Sequence, residues 1–135
     1  MRILFKLLRR LFWLALALVL AAGGLLAFQG YRMYRQALDG QSLEAALSAV
    51  RSAPGYTPID QLPELYLDAV VAVEDHRFEQ HSGIDPIAIL RAAVHDLRTR
   101  SLDQGGSTIT QQVAKNLFFT QEKQFARKIA EVFMA

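Results

Sequence analysis

Residues 11–31 read LFWLALALVLAAGGLLAFQGY, a run without a single charge. A helix needs about 20 consecutive apolar residues to cross the hydrocarbon core of a bilayer. This stretch therefore predicts a membrane-spanning helix, and the rest of the chain must be read around it. A secretory signal has an apolar stretch of roughly 7–15 residues followed by a small-residue cleavage site. Here the run is longer, and the small residues Ala21, Ala22, Gly23 and Gly24 lie inside it, which favours a retained anchor. The glycine pair also offers a helix–helix contact. Arg2, Lys6, Arg9 and Arg10 precede the run, and no acid comes before Asp39. Basic flanks stay in the cytoplasm, so the N-terminus is expected inside and the chain beyond about residue 30 outside. Trp13 and Tyr31 are placed to sit near the two interfaces.

Composition narrows the class further. The net charge of +2 is carried by that basic flank, and the remainder is slightly acidic, so no nucleic-acid partner is indicated. The chain has no cysteine, which excludes disulfides and thiolate metal sites. Roughly 100 residues remain outside the membrane, a length at which an independent core is marginal.

Those residues read as all-α. From Arg32 to Ala53, apolar residues recur at Leu38, Leu43, Ala46, Leu47 and Val50 with helical spacing. Ser52 to Pro58 is a breaker segment. A second helix is expected from Asp60 or Leu62, with Pro63 in its first turn. Leu65, Ala69, Val70 and Val73 form its apolar face, which runs into Glu74-Asp75. Asp85-Pro86 is a helix start, a capping acid followed by proline at the first helical position. Ile87, Leu90, Ala93, Val94 and Leu97 follow on one face. Gln104-Gly105-Gly106 breaks the chain, and Ser107 or Thr108 can cap the next helix, whose face is Ile109, Val113 and Leu117. A last helix is expected from about Glu122 to the end, with Phe125, Ile129, Val132 and Phe133 apolar.

Three clusters carry potential chemistry. The first, Glu74-Asp75-His76-Arg77-Phe78-Glu79-Gln80-His81-Ser82-Gly83-Ile84-Asp85, crowds ionisable groups at a helix end. Val70, Val71 and Val73 are expected to desolvate Glu74 in part, which would suit a general base. His76 and His81 are not at a same-face helical spacing, so a metal site is not assigned. The second, Gly105-Gly106-Ser107-Thr108-Ile109-Thr110-Gln111-Gln112-Val113-Ala114-Lys115-Asn116, sets two glycines before a helix N-terminus, where exposed N–H groups favour anions. The third, Lys123-Gln124-Phe125-Ala126-Arg127-Lys128-Ile129-Ala130-Glu131, is basic, with Lys123, Arg127 and Glu131 at helical spacing. Such a patch can hold a diphosphate. Taken singly, each cluster also fits a solvated helix end or an ordinary basic face.

In this order and wording the clusters resemble glycosyltransferase family 51: Glu-Asp-x-x-Phe-x-x-His-x-Gly-x-Asp, then Gly-Gly-Ser-Thr-Ile-x-Gln-Gln-x-x-Lys-Asn, then Arg-Lys-x-x-Glu. This family holds monofunctional peptidoglycan glycosyltransferases and the glycosyltransferase half of class A penicillin-binding proteins. The similarity runs from about Tyr56 to Ala135. It implies a lysozyme-like α-helical domain at the outer face of the cytoplasmic membrane, acting on lipid II and the growing glycan strand. Other cell-wall synthesis proteins would be its partners.

The resemblance makes Glu74 the base that activates the acceptor hydroxyl, and Glu131 the second family glutamate, near the leaving pyrophosphate or a divalent cation. It places Asp75, Phe78, His81, Gly83, Arg91, Ser107, Thr108, Gln111, Gln112, Lys115, Asn116, Lys123, Arg127 and Lys128 in substrate binding. Lys123 stands where relatives often carry Arg. No tightly bound cofactor is implied, only a divalent cation, Mg2+ or Mn2+. The organisation expected is a basic flank at 1–10, the anchor at 11–31, a juxtamembrane helix and linker at 32–58, and the N-terminal part of the glycosyltransferase domain at 59–135. Family members continue with further helices, so the resemblance also implies an incomplete domain, unstable or inactive alone. Two other functions fit the same clusters. One is a lysozyme-like hydrolase or lyase of finished peptidoglycan, and the other is a non-catalytic membrane adaptor of cell-wall synthesis.

Overall fold

A computed structural model describes residues 2–100, 105–120 and 125–135, and among them there are helices and no strand. The helices are α1 (Arg2–Gly40), α2 (Leu43–Arg51), α3 (Glu64–Glu74), α4 (Pro86–Thr99), α5 (Ile109–Phe118) and α6 (Phe125–Met134). Single 3₁₀ turns stand at Ile59–Gln61 and Phe78–Gln80.

The first helix is longer than the apolar run that nucleates it. Its 39 residues form a rod of about 58 Å at about 1.5 Å per residue. It is apolar and long enough to cross a membrane. The anchor and the expected juxtamembrane helix are thus continuous, and the break falls at Gly40-Gln41-Ser42 rather than before Arg32. Helical propensity runs unbroken through Arg32–Leu38, so nothing stops the helix until glycine. Ser42 then restarts the chain, its hydroxyl accepting from the Ala45 N–H at 3.2 Å. Pro63 caps α3 from outside instead of occupying its first turn, a one-residue difference of the kind helix ends permit.

The packing that positions the site is concentrated between α1 and α6, with α5 against α6. Ala130 of α6 is fully buried. At Gly30 a side chain would collide with Ile129, so the two backbones meet closely there. Gly23 and Gly24, by contrast, face nothing within 4 Å. The expected apolar faces of α3 and α4 stay open: Leu65 is 80 % exposed, Val73 81 % and Leu97 83 %. An apolar stripe reports what a helix is able to bury, and the described residues bring no surface to it. The side of α4 that is covered is Ala88–Ala92, where Gly106 passes so close that a Cβ would lie 3.3 Å from the Ala88 carbonyl oxygen and the Ala92 Cβ.

Candidate active site

The last turn of α3 delivers two adjacent acids to opposite fates. Asp75 is buried and Glu74 is exposed. Asp75 Oδ1 accepts from His81 Nε2 at 3.0 Å, and its Oδ2 accepts from the Ile109 N–H at the first residue of α5, at 3.1 Å. His81 Nδ1 in turn accepts from the Gly83 N–H at 3.3 Å. The ring therefore carries its proton on Nε2. Thr108 Oγ1 donates to the Gly83 carbonyl, and Gly83 adopts φ of +114°, a conformation glycine reaches without strain. Phe78 lies edge-on to His81.

These bonds staple the loop after α3 to the start of α5. That start is itself a capping box: Thr108 accepts from the Gln111 N–H, and the Gln111 side chain accepts from the Thr108 N–H. Asp75, His81, Gly83, Thr108 and Gln111 were all expected at the substrate. The structure turns them inward, with their polar atoms bonded to one another.

A second acid supports the same loop. Asp85 caps α4, its Oδ1 accepting from Ile87 and Ala88 and its Oδ2 from Arg77 Nε at 2.9 Å. Burial works to raise its pKa. The Ala88 and Ile87 N–H groups and the Arg77 guanidinium overcome this and hold the carboxyl below its ordinary value. Asp75, His81 and Asp85 lie close enough together to suggest a cation site. Every one of their ligand atoms is already engaged by a protein group, so a cation would have to displace those bonds.

Glu74 lies on the open side of this brace. Its Oε2 accepts from Gln112 Nε2 at 2.6 Å. The expected desolvation by neighbouring valines is not met. Val70 and Val71 are half-buried, but Val73 and Glu74 itself are exposed at the end of α3. Gln112, Lys115 and Asn116 share one side of α5 at helical spacing. Arg91 of α4 is exposed and reaches His76 at 3.5 Å.

The cationic cluster is organised by the other glutamate. Glu131 is buried on α6, its Oε2 3.0 Å from Lys128 Nζ and its Oε1 3.1 Å from Arg127 Nε. Arg127 also donates through Nη1 to the Thr120 carbonyl at 2.9 Å, which ties α6 to the end of α5. Lys128 is half exposed and also donates to Ser107 Oγ. Ser107, which leaves the cap to Thr108, thus joins α6 to the start of α5. Lys123 lies outside the described residues. Sequence reasoning missed Gly30, a small residue read only as part of the apolar run, and Arg77, whose buried partner lies eight residues on.

One short stretch, Ser107 to Gln112, therefore touches both an accessible carboxylate and a cation cluster. Such an arrangement can take a proton from a hydroxyl on one side and hold an anionic group on the other. Known proteins share long stretches of this sequence. Penicillin-binding protein 1A of Aquifex aeolicus is 54 % identical over 80 residues, 59 % of this chain and 11 % of that protein. Penicillin-binding protein 1A of Vibrio cholerae is 47 % identical over 77 residues, 57 % of this chain and 9 % of that protein. Penicillin-binding protein 1B of Haemophilus influenzae is 44 % identical over 78 residues, 58 % of this chain and 10 % of that protein. The chain thus spans about a tenth of the length of these relatives. The model of the transglycosylase family matches residues 39–135, which takes in all three motifs and every helix after α1, and the chain belongs to that family.

Proposed function

We propose that the protein polymerises lipid II into β-1,4-linked glycan strands at the cytoplasmic membrane. In this reading α1 crosses once, with its basic flank inside and the catalytic part outside. Glu74 takes the proton of the acceptor sugar's 4-hydroxyl. That oxygen attacks the anomeric carbon of the lipid-linked donor, the carbon–oxygen bond to the diphosphate breaks, and undecaprenyl pyrophosphate leaves with inversion. The observation that carries the reading is the junction at Ser107–Gln112, with Gln112 on Glu74 and Ser107 on Lys128.

Lys128 is the accessible cation for the departing charge, which grows in the transition state. Arg127 is turned toward Glu131 and Thr120 and supports the cluster from behind. Glu131 acts through the two cations it orients. Glu131 would be the residue to hold a divalent cation, since its buried Oε1 lies 3.1 Å from Arg127 Nε but makes no hydrogen bond; such a cation would help neutralise the diphosphate, and no step is routed through one. Gln112, Lys115, Asn116 and Arg91 border the acceptor side. Lipid II, the nascent strand and other cell-wall synthesis proteins are the partners this reading implies.

The test is Glu74→Gln in the full-length membrane protein supplied with lipid II. A positioned base is worth about 10²–10⁴-fold, so polymerisation should fall by that factor while lipid binding persists. Unchanged polymerisation would remove Glu74 from the role of base, and wild type that binds lipid II without polymerising it would favour the adaptor reading. Release of soluble muropeptides from finished peptidoglycan, without use of lipid II, would favour the hydrolase.

A further inference from the structure

The membrane helix does more than tether the site. We infer that Gly30, at the exit end of the apolar run, is a positioning residue that sets where α6 places its cationic cluster. This inference rests on the proposed function for its substrate, but its geometry stands alone.

A Cβ built at Gly30 would lie 2.5 Å from Ile129 Cγ2, 2.6 Å from Ile129 Cβ and 3.0 Å from the Ala126 carbonyl oxygen. Helix backbone, and not only a flexible side-chain tip, occupies that space. Ile129 directly follows Lys128 and precedes Glu131 by two residues, so a shift of α6 at this contact moves the cluster with it. The stacking continues along both helices, with Tyr34 on Phe133 at a centroid distance of 6.1 Å and Tyr31 on the same ring at 5.6 Å. Small residues at such crossings let helix backbones approach.

Ordinary carbon contacts need about 3.5–4.0 Å, so any side chain at position 30 displaces α6 by roughly 1 Å. A displacement of that size at a distance from the chemistry can cost about 10²-fold. The cluster is also bonded forward, through Lys128 to Ser107, and its displacement would therefore be felt at the start of α5. On this reading the anchor fixes the height of the diphosphate grip relative to the membrane surface from which a lipid-borne substrate arrives.

The experiment uses the full-length protein embedded in lipid nanodiscs, with two readouts. The first is affinity for inorganic pyrophosphate, which needs no turnover. The second is kcat and KM for lipid II polymerisation in the full-length protein. Gly30→Val should weaken pyrophosphate binding by about tenfold or more and lower kcat/KM by about 10²-fold. Gly30→Ala should do the same more mildly if the valine variant fails to fold. Adding Ile129→Gly to either should recover part of the loss, because it removes both Ile129 atoms that collide and leaves the Ala126 carbonyl oxygen at 3.0 Å. Gly23→Val and Gly24→Val, which meet nothing, should leave both readouts within about twofold of wild type.

Equal pyrophosphate affinity in wild type and Gly30→Val overturns the inference. So does a loss that Ile129→Gly leaves wholly unrescued, and so does wild type that binds no pyrophosphate. Wild type that binds pyrophosphate in a Gly30-dependent way but never polymerises lipid II would instead count against the assigned reaction alone.

Discussion

Replacing Asp75 by Ala should destabilise the part of the chain that follows α1 while leaving α1 helical. The alanine removes both acceptors of a carboxylate whose side chain is 4 % exposed. Two donors then lose their partners, His81 Nε2–H and the Ile109 N–H, in a place water does not reach. An unsatisfied buried donor costs about 1–3 kcal/mol, so the pair costs about 2–6 kcal/mol. That is a large part of the roughly 5–15 kcal/mol that holds a typical domain. At about 4–8 °C per kcal/mol for a domain of this size, a mid-range loss of about 4 kcal/mol lowers Tm by about 16–32 °C. Asp75→Asn should fall between the two. Its amide oxygen can still accept from Ile109, but its NH₂ group faces the His81 proton. The ring must then switch tautomer and give up Gly83. Thermal unfolding followed by circular dichroism in nanodiscs reads these shifts, and hydrogen exchange at Ile109 reads the local bond. A fall below about 4 °C for Asp75→Ala, under about 1 kcal/mol, would refute the brace. The adjacent Glu74→Gln makes the opposite prediction, a stability change within about 0.5 kcal/mol, as for exposed positions generally, together with the loss of polymerisation given above.

Asp85 predicts an acid limb in stability. Its folded pKa lies below the ordinary value of 3.8, so its contribution is complete above about pH 4 and is lost as pH falls through the folded pKa. Asp85→Asn should therefore be less stable than wild type at neutral pH, and the gap should close in acid; a denaturant-midpoint series against pH that ran parallel for both would contradict this. Lys128→Met keeps the aliphatic stem but removes the accessible cation beside Glu131. Glu131 is buried and loses the donor to its Oε2, so a stability loss of about 1–3 kcal/mol is expected, while pyrophosphate affinity should drop about tenfold or more. Unchanged affinity by calorimetry would remove Lys128 from the grip.

The sequence showed most of what is local. Asp85-Pro86 announced a capped helix, and the structure has that cap. Thr108 and Gln111 stand at capping-box spacing, and both halves of the box form. The i,i+4 pair of Arg127 and Glu131 was visible as spacing and is present as contact. What could not be read was which polar residue faces inward. Asp75 and Glu74 are neighbours of similar chemistry. Their separation depends on the Ile109 N–H, 34 residues further along the chain, and no periodicity carries that information. The same limit explains the misjudged environment of Glu74: Val70 and Val71 are half-buried, but the acid and Val73 sit on the open side of the helix end.

The glycines of the anchor show why the limit is physical. Gly23, Gly24 and Gly30 lie in one apolar run and are equivalent by composition, and the adjacent pair is the more conspicuous motif. Yet only Gly30 is closed over, by a helix about a hundred residues away in the chain. A clue did exist in the spacing beyond the run. Gly30, Met33, Tyr34 and Ala37 repeat at the period of one helix face, as do Ala126, Ile129, Ala130 and Phe133, and faces with matching small and aromatic positions can interlock. The clue was split by reading the run's end as the helix's end. A membrane span has to be apolar only as far as the bilayer reaches, whereas a helix continues until its backbone is interrupted. Because α1 runs on to Gly40, its exit turns are available to pack as an ordinary soluble helix, and α6 with its Arg127, Lys128 and Glu131 packs there. If α1 crosses the membrane as proposed, its rigid continuation forms one wall of the domain, and the packing of α6 on it sets the distance from membrane to cation cluster.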